Sequence, residues 1–360
     1  MLGRRLILML SPAPGATQNY FDRAGENALE LARRCRNAAC AQMKHQTSAT
    51  MPPDLRCLLC DGQSLSVVWS LSGADVRALW RAAGRTLTDS AYGSLSPTHA
   101  VTQFECGTCG FRFFDPALAG GGEFYEQLEQ GGYYVGNRPE FDFALNLCRR
   151  EKLKSILDVG GGTGAFLDLA RQKGLATFAV ELNAPAAEVC AGKGHRTLHK
   201  RLEDISLSDL DGGVDMLTLF QVVEHVPDPR TFLAAAARLV RRGGLIVVAV
   251  PNNSGQHVLL PFDPANMPPH HVSRWRKVDL ERLGIACGLS TVVRGADILY
   301  GQGFEGFWLL HNRLAGAIGR PPHPGGRWLP AILSFLYRKL GCRHYLPRRG
   351  LSIYTAYRKP

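Results

Sequence analysis

LDVGGGTGAF, residues 157–166, decides the fold. An apolar run, Ser155–Val159, enters a cluster of glycines, and a helix-compatible stretch, Ala165–Lys173, leaves it. Glycine lets the chain turn with positive φ and lets backbone approach a ligand closely, while the first N–H groups of the helix have no partner within it. Outward from this turn the same alternation repeats. Ala176–Val180 reads as a strand, Ala184–Gly192 as a helix, Asp215–Phe220 (DMLTLF) as a strand, Thr231–Leu239 as an Ala-rich helix and Leu245–Val250 (LIVVAV) as a buried strand. Strands alternating with helices predict a doubly wound α/β fold, a parallel sheet with helices on both faces. Ser290–Val293 and Ser352–Tyr357 (SIYTAY) read as further strands.

Glu181 closes the second strand, 23 residues after Asp158. A carboxylate there is placed to bind ribose hydroxyls. The turn alone leaves its ligand open, because Gly160-x-Gly162-x-x-Ala165 also fits a dinucleotide fingerprint and hence an NAD-dependent oxidoreductase. Two features point elsewhere. Asp158 opens the spacing Asp158-x-Gly160-x-Gly162-x-Gly164, and the strand DMLTLF runs on into FQVVEHVPDP, which is not a dehydrogenase feature.

LDVGGGTG, AVELN, DMLTLFQVVEHVPDP, GGLIVVAVPN and PPHHVSRW follow one another in order. Over about residues 119–300 the chain resembles the Rossmann-like S-adenosylmethionine (SAM)-dependent methyltransferases, which include ubiquinone-biosynthesis O-methyltransferases and bacterial deoxysugar methyltransferases. The resemblance implies SAM as cofactor. It implies that Asp158, Gly160, Gly162 and Gly164 contact SAM, that Glu181 holds the ribose, and that Glu203 or Asp204, with Asp204 preferred, touches the adenine. Gln221, at the end of its strand, joins the cofactor-binding set.

Cys57 and Cys60 (CLLCDG) and Cys106 and Cys109 (CGTCGF) form two CxxC units with 45 residues between them. Four thiolates suit tetrahedral zinc, and two knuckles this far apart must meet through folding. Gly62 and Gly110 are expected to permit the tight turns in which N–H groups point at sulfur. The run CGFRFFDPALAGGGEFYEQLEQGGYY resembles the N-terminal zinc domain of bacterial sugar methyltransferases. The large C-terminal domain that sugar C-methyltransferases often carry is not expected here, so sugar C-methylation is the less expected reaction.

SAM carries an activated methyl group, so the protein supplies alignment and, for an oxygen or carbon nucleophile, a base. Candidates lie at the carboxyl ends of strands. Glu224 and His225 follow DMLTLF; His270 and His271 sit in PPHHVSRW. The catalytic candidates are therefore His225, Glu224 and His271. Tyr133 and Tyr134 could cover the cofactor or simply pack the connector. There is no Asn/Asp-Pro-Pro-Tyr or Cys after the relevant strand, so methylation of nucleobase amino groups or of cytosine carbon is not expected; no Ser-His-Asp order or HExxH marks a hydrolase.

The expected organisation is a loose extension over 1–50, a zinc-binding domain over 51–118, a methyltransferase domain over 119–300 plus 350–360, and a basic amphipathic helical insertion over 301–349. Met51 is a candidate alternative start. The formal net charge is +11, and residues 301–360 hold ten Lys and Arg against the single acid Glu305. Basic amphipathic helices can lie on anionic membrane or pack on their own domain. Leu6–Leu10 is shorter than the ~7–15 residues of a signal-peptide core, and no apolar run reaches the ~20 of a membrane span. The chain is thus expected in the cytoplasm, with peripheral contact at the inner membrane face as the alternative. A small-molecule or glycan-precursor acceptor is expected, methylated at oxygen, such as a lipid- or nucleotide-linked sugar. A zinc-ribbon methyltransferase of RNA is the second reading; nucleic acid is otherwise not an expected partner.

Overall fold

Two sheets organise the residues that the computed structural model describes, namely 52–129, 138–255, 260–297, 312–320 and 350–360. The expected N-terminal extension, Tyr133, Tyr134 and most of the basic insertion lie outside them.

The small sheet comes first in the chain. Strand β1 (Leu65–Ser72) leads into helix α1 (Gly73–Ala82), whose start is fixed by a capping box between Ser72 and Asp75. Strands β2 (Ala100–Cys106) and β3 (Arg112–Phe113) follow, all antiparallel. Helices α2 (Gly122–Glu129) and α3 (Pro139–Glu151) lead to the large sheet.

That sheet is built from β4 (Ser155–Val159), α4 (Ala165–Gln172), β5 (Ala176–Val180), α5 (Ala184–Gly192), β6 (Arg196–Leu198), β7 (Val214–Phe220), α6 (Pro229–Leu239) and β8 (Val240–Pro251). Ser273–Arg274 (β9) leaves it to pair with β3, with Phe113 opposite Ser273. Helix α7 (Lys277–Ala286) and β10 (Ser290–Ala296) return to it, and β11 (Ser352–Arg358) closes it. The strand order is β10-β11-β8-β7-β4-β5-β6. Strands β4 to β8 run parallel, and β11 lies antiparallel between β8 and β10. The order reverses between β4 and β7, the switch point at which doubly wound sheets open a crevice for a ligand.

Period-2 alternation divides the two faces. Ile156, Ala179, Met216 and Val247 point into a core with Phe141 and Ala144 of α3 and Phe166, Leu167 and Ala170 of α4. Leu157, Val159, Leu217, Leu219 and Val248 point the other way, onto Leu233 and Leu239 of α6 and Leu280 and Leu283 of α7. This second core is continuous with Leu59, Phe104, Phe111 and Phe113 of the small sheet, where the Phe111 ring lies 4.8 Å from that of Trp275. The cysteine-bearing segment is thus packed into the larger body. No helix among the described residues is long and apolar enough to cross a membrane.

Candidate functional site

The glycine turn hangs from its neighbours. Gly160 and Gly161 both donate their N–H to the Val180 carbonyl, and Gly162 donates to Glu181 Oε2 at 2.7 Å. Gly160 needs to be glycine twice over: its φ is +73°, and a Cβ would lie 2.8 Å from Val222. A Cβ on Gly164 (φ +81°) would meet His195 at 2.9 Å and Cys190 at 3.0 Å, so that glycine serves packing at the start of α4.

Asp158 is buried at the carboxyl end of β4 and accepts from Thr218 Oγ1 at 2.7 Å. Burial, reinforced by the charge of Glu181 and opposed by Thr218, raises it to about 7. Glu181 is also buried; its second oxygen accepts from the Asn183 N–H. These carboxylates flank the turn at the ends of adjacent strands. Asp204 and Glu203 are exposed in the turn Leu202–Asp204. Gln221, at φ +57°, donates to Glu140 and Ser352 beside a cavity of about 300 Å³ that Arg138, Glu140, Asp297 and Ser352 also line.

Three imidazoles converge just past β7. His225 lies in the turn Val223–His225, and His270 and His271 arrive on the loop before β9. Their ring centroids are 4.3–4.7 Å apart. Each Nδ1 is held by an oxygen: His225 by the His270 carbonyl at 2.6 Å, His270 by the Ala265 carbonyl at 2.7 Å, and His271 by Asn266 Oδ1 at 3.3 Å. A ring nitrogen donating to carbonyl oxygen leaves the lone pair on Nε2. The hydroxyl of Tyr125, from α2, meets His225 Nδ1 at 3.0 Å. Burial lowers His225 to about 4; burial and the neighbouring His225 lower His270 to about 3. Both rings are therefore neutral at physiological pH. Glu224 is fully buried, its Oε1 lying 3.9 Å from His225 Nε2 and 4.0 Å from His271 Nε2. Burial pushes its carboxyl up to about 8, and neither oxygen has a hydrogen-bond partner among the described residues.

Sequence reasoning singled out all three histidines and Glu224 but passed over Tyr125. It is flanked by Phe124 and two residues further on by Gln127, and nothing in FYEQLEQ marks one ring as the member that turns toward a histidine 100 residues away.

The four cysteines converge as well. Sγ atoms of Cys57 and Cys109, and of Cys60 and Cys106, are 3.6 Å apart. Four sulfurs around one ion with ~2.3 Å bonds sit about 3.8 Å apart, so the set fits a tetrahedral metal. Burial raises Cys57, whereas Cys106 is brought down to about 7 against its burial by the N–H groups of Cys109 and Thr108. The knuckles match: Asp61 donates N–H to Cys57 and Gly110 to Cys106, at φ +62° and +68°. In the first knuckle Asp61 therefore takes the left-handed position expected of Gly62. Gly62 is required for space instead, since a Cβ there would lie 3.0 Å from Thr108 and 3.3 Å from Cys60 Sγ.

Residues 136–293 match the family model described as a methyltransferase domain. The chain is 31% identical over 113 residues to a ubiquinone biosynthesis O-methyltransferase of Thiobacillus denitrificans, covering 30% of this chain and 48% of that one. It is 26% identical over 163 residues to the protein of the same name from Paracidovorax citrulli, covering 42% and 67%. A SAM-dependent methyltransferase structure from Archaeoglobus fulgidus superposes with a TM-score of 0.40 at 15% identity, over 66% of this chain and all of that one. The chain spans about half the length of the first of these relatives.

Proposed function

We propose that this chain, which carries a methyltransferase domain over residues 136–293, transfers the methyl group of SAM to a small-molecule or glycan-precursor hydroxyl. One observation carries the reading: a glycine turn flanked by Asp158 and Glu181 stands at the sheet's switch point, and three clustered histidines stand just past the adjacent strand β7. The relatives' names support oxygen as the acceptor atom, and a sugar or lipid-linked acceptor extends the proposal beyond them. When bound, SAM supplies a methyl group on a cationic sulfur that departs with the bonding pair. Glu181 and Asp158 are placed to bind its hydroxyls and ammonium, and the Gly160 turn gives it room. At the acceptor, His225 Nε2 takes the hydroxyl proton as the oxygen attacks the methyl carbon; the Nδ1 bond to the His270 carbonyl fixes that tautomer. Cys57, Cys60, Cys106 and Cys109 hold a structural zinc.

SAM or its demethylated product binds in calorimetry, and Glu181→Ala weakens binding, partly by releasing the Gly162 N–H. Wild-type affinity no tighter than millimolar would sink the reading. Binding of a nicotinamide dinucleotide without SAM would favour an oxidoreductase.

Asp158→Asn separates binding from stability. In the ligand-free fold the carboxyl is raised to about 7. Its contribution to stability is thus fully present below the ordinary carboxylate range and lost as pH rises through about 7. Asparagine keeps the acceptor for Thr218 without the charge. The variant therefore melts higher than wild type at pH 8, with an upper bound on the order of 4 kcal/mol at about 1.4 kcal/mol per pH unit, and gains less at pH 5. Its SAM affinity falls about 10–100-fold, the value of a lost charged hydrogen bond. Equal melting shifts at both pH values would contradict the assignment.

A further inference from the structure

Proton removal by His225 alone leaves much of its surroundings unused. His270 and His271 add two more imidazoles, and one ligating nitrogen from each of the three rings lies within 4.8 Å of the others. The fourth wall is Glu224, a fully buried carboxyl with no hydrogen-bond partner among the described residues, facing two of those nitrogens at 3.9 and 4.0 Å. An unpartnered buried carboxyl is costly, and pairing it with a cation removes the cost. Every Nδ1 is anchored to a carbonyl-type oxygen, the outer-shell arrangement that orients histidines at metal centres.

We infer that His225, His270, His271 and Glu224 bind one divalent first-row transition-metal ion at the acceptor side of the sheet. Three imidazoles and a carboxylate suit zinc, iron or cobalt, whereas the hard cations prefer all-oxygen sets. Ligands with ~2.1 Å bonds sit about 3.4 Å apart around a tetrahedral ion, so the carboxylate, at 3.9 and 4.0 Å, closes by about 0.5 Å and the ring nitrogens, within 4.8 Å of one another, by up to about 1.4 Å, a movement of side chains alone. The His225 side chain keeps a 14% exposed edge, which gives the ion a side open to an acceptor. With the ion bound, an acceptor hydroxyl on it would lose its proton to solvent and His225 would act as a ligand; without the ion His225 is the base, and His225→Ala lowers turnover in either case. That last role rests on the methyl-transfer reading; ion binding does not.

The test uses the full chain loaded with cobalt(II). The cysteine site gives thiolate charge-transfer bands, while the histidine site gives ligand-field bands without them, so one spectrum counts both. Wild type takes up about two ions per chain, and a His270→Ala, His271→Ala variant takes up about one, with the thiolate bands retained. Asn266→Ala, which touches no metal, loosens the histidine site about 10–100-fold and leaves the cysteine site unchanged. SAM affinity, measured in the same samples, is unaffected by either change. About one ion per chain in wild type, with thiolate bands only, overturns the metal site and leaves methyl transfer standing. Two ions per chain with no SAM binding would do the reverse.

Discussion

Replacing His225 with alanine lowers kcat by roughly 10²–10⁴ and leaves SAM affinity nearly intact. The imidazole lies past the carboxyl end of β7, and its contacts include Tyr125, His270, His271, Glu224 and the backbone of Gln221, none of which belongs to the glycine turn. The loss falls on kcat because proton removal matters only as the transition state forms. Stability also falls, since the His270 carbonyl loses its shorter partner at 2.6 Å and keeps the Tyr125 hydroxyl at 3.3 Å, a cost of about 0.5–1.5 kcal/mol for one hydrogen bond. Rates must therefore be taken per folded molecule, from single turnovers alongside melts and SAM titration. A purely structural His225 gives the opposite pattern: weaker SAM binding, with near-normal turnover in the molecules that remain folded. Wild-type turnover by folded His225→Ala would remove the residue from the chemistry altogether.

Cys57→Ser strips the cysteine site and costs more than any other single change considered. Freshly purified, reduced wild type carries metal at the cysteine site; the variant loses it, and with it a share of folding energy that reaches about 10–16 kcal/mol at structural zinc sites. The damage spreads, because Cys57 and Cys106 sit in one core with Leu157, Val159 and Trp275. Strand β9, which pairs with β3, begins two residues after His271, so the histidine loop is tethered to the same sheet. Acceptor turnover should therefore collapse before SAM binding does. Cys148→Ser is the control: that thiol is buried against Met216, and its replacement leaves metal content unchanged. Wild-type protein without metal at the cysteines would refute the site.

The large sheet was legible because its signals are local. A strand running into Asp158-x-Gly160 and out into an apolar helix can be read within ten residues, and Ala176–Val180 and Ala184–Gly192 stand where their patterns put them. What escaped is non-local. β9 has only two residues, too few for any alternation to register, yet it carries the chain from the large sheet onto the edge of the small one. LIVVAV marks the buried heart of β8, while the strand runs back through the exposed Arg241 and Arg242, which hide its signal, to Val240, which pairs with Val214 across a break in register. The histidines were visible singly, but their convergence depends on a loop that places Ala265, Asn266 and His270 as acceptors for ring N–H groups. Asp61 adopts a backbone conformation usually left to glycine, and the adjacent Gly62 drew the expectation to itself.

Strand β11 has a consequence for how the chain is made. It separates β8 from β10, pairing with Leu245–Pro251 on one side and Ser290–Ala296 on the other. A ribosome delivers residues 240–296 long before residues 352–358, so throughout that interval one edge of β8, carrying Leu245, Ile246, Val247 and Val248, has no partner in the finished sheet. An open apolar edge is the kind of surface on which nascent chains associate with one another. Premature release anywhere before Ser352 should therefore yield chains held by chaperones or lost to inclusion bodies, and supplying residues 350–360 as a separate peptide should rescue part of them.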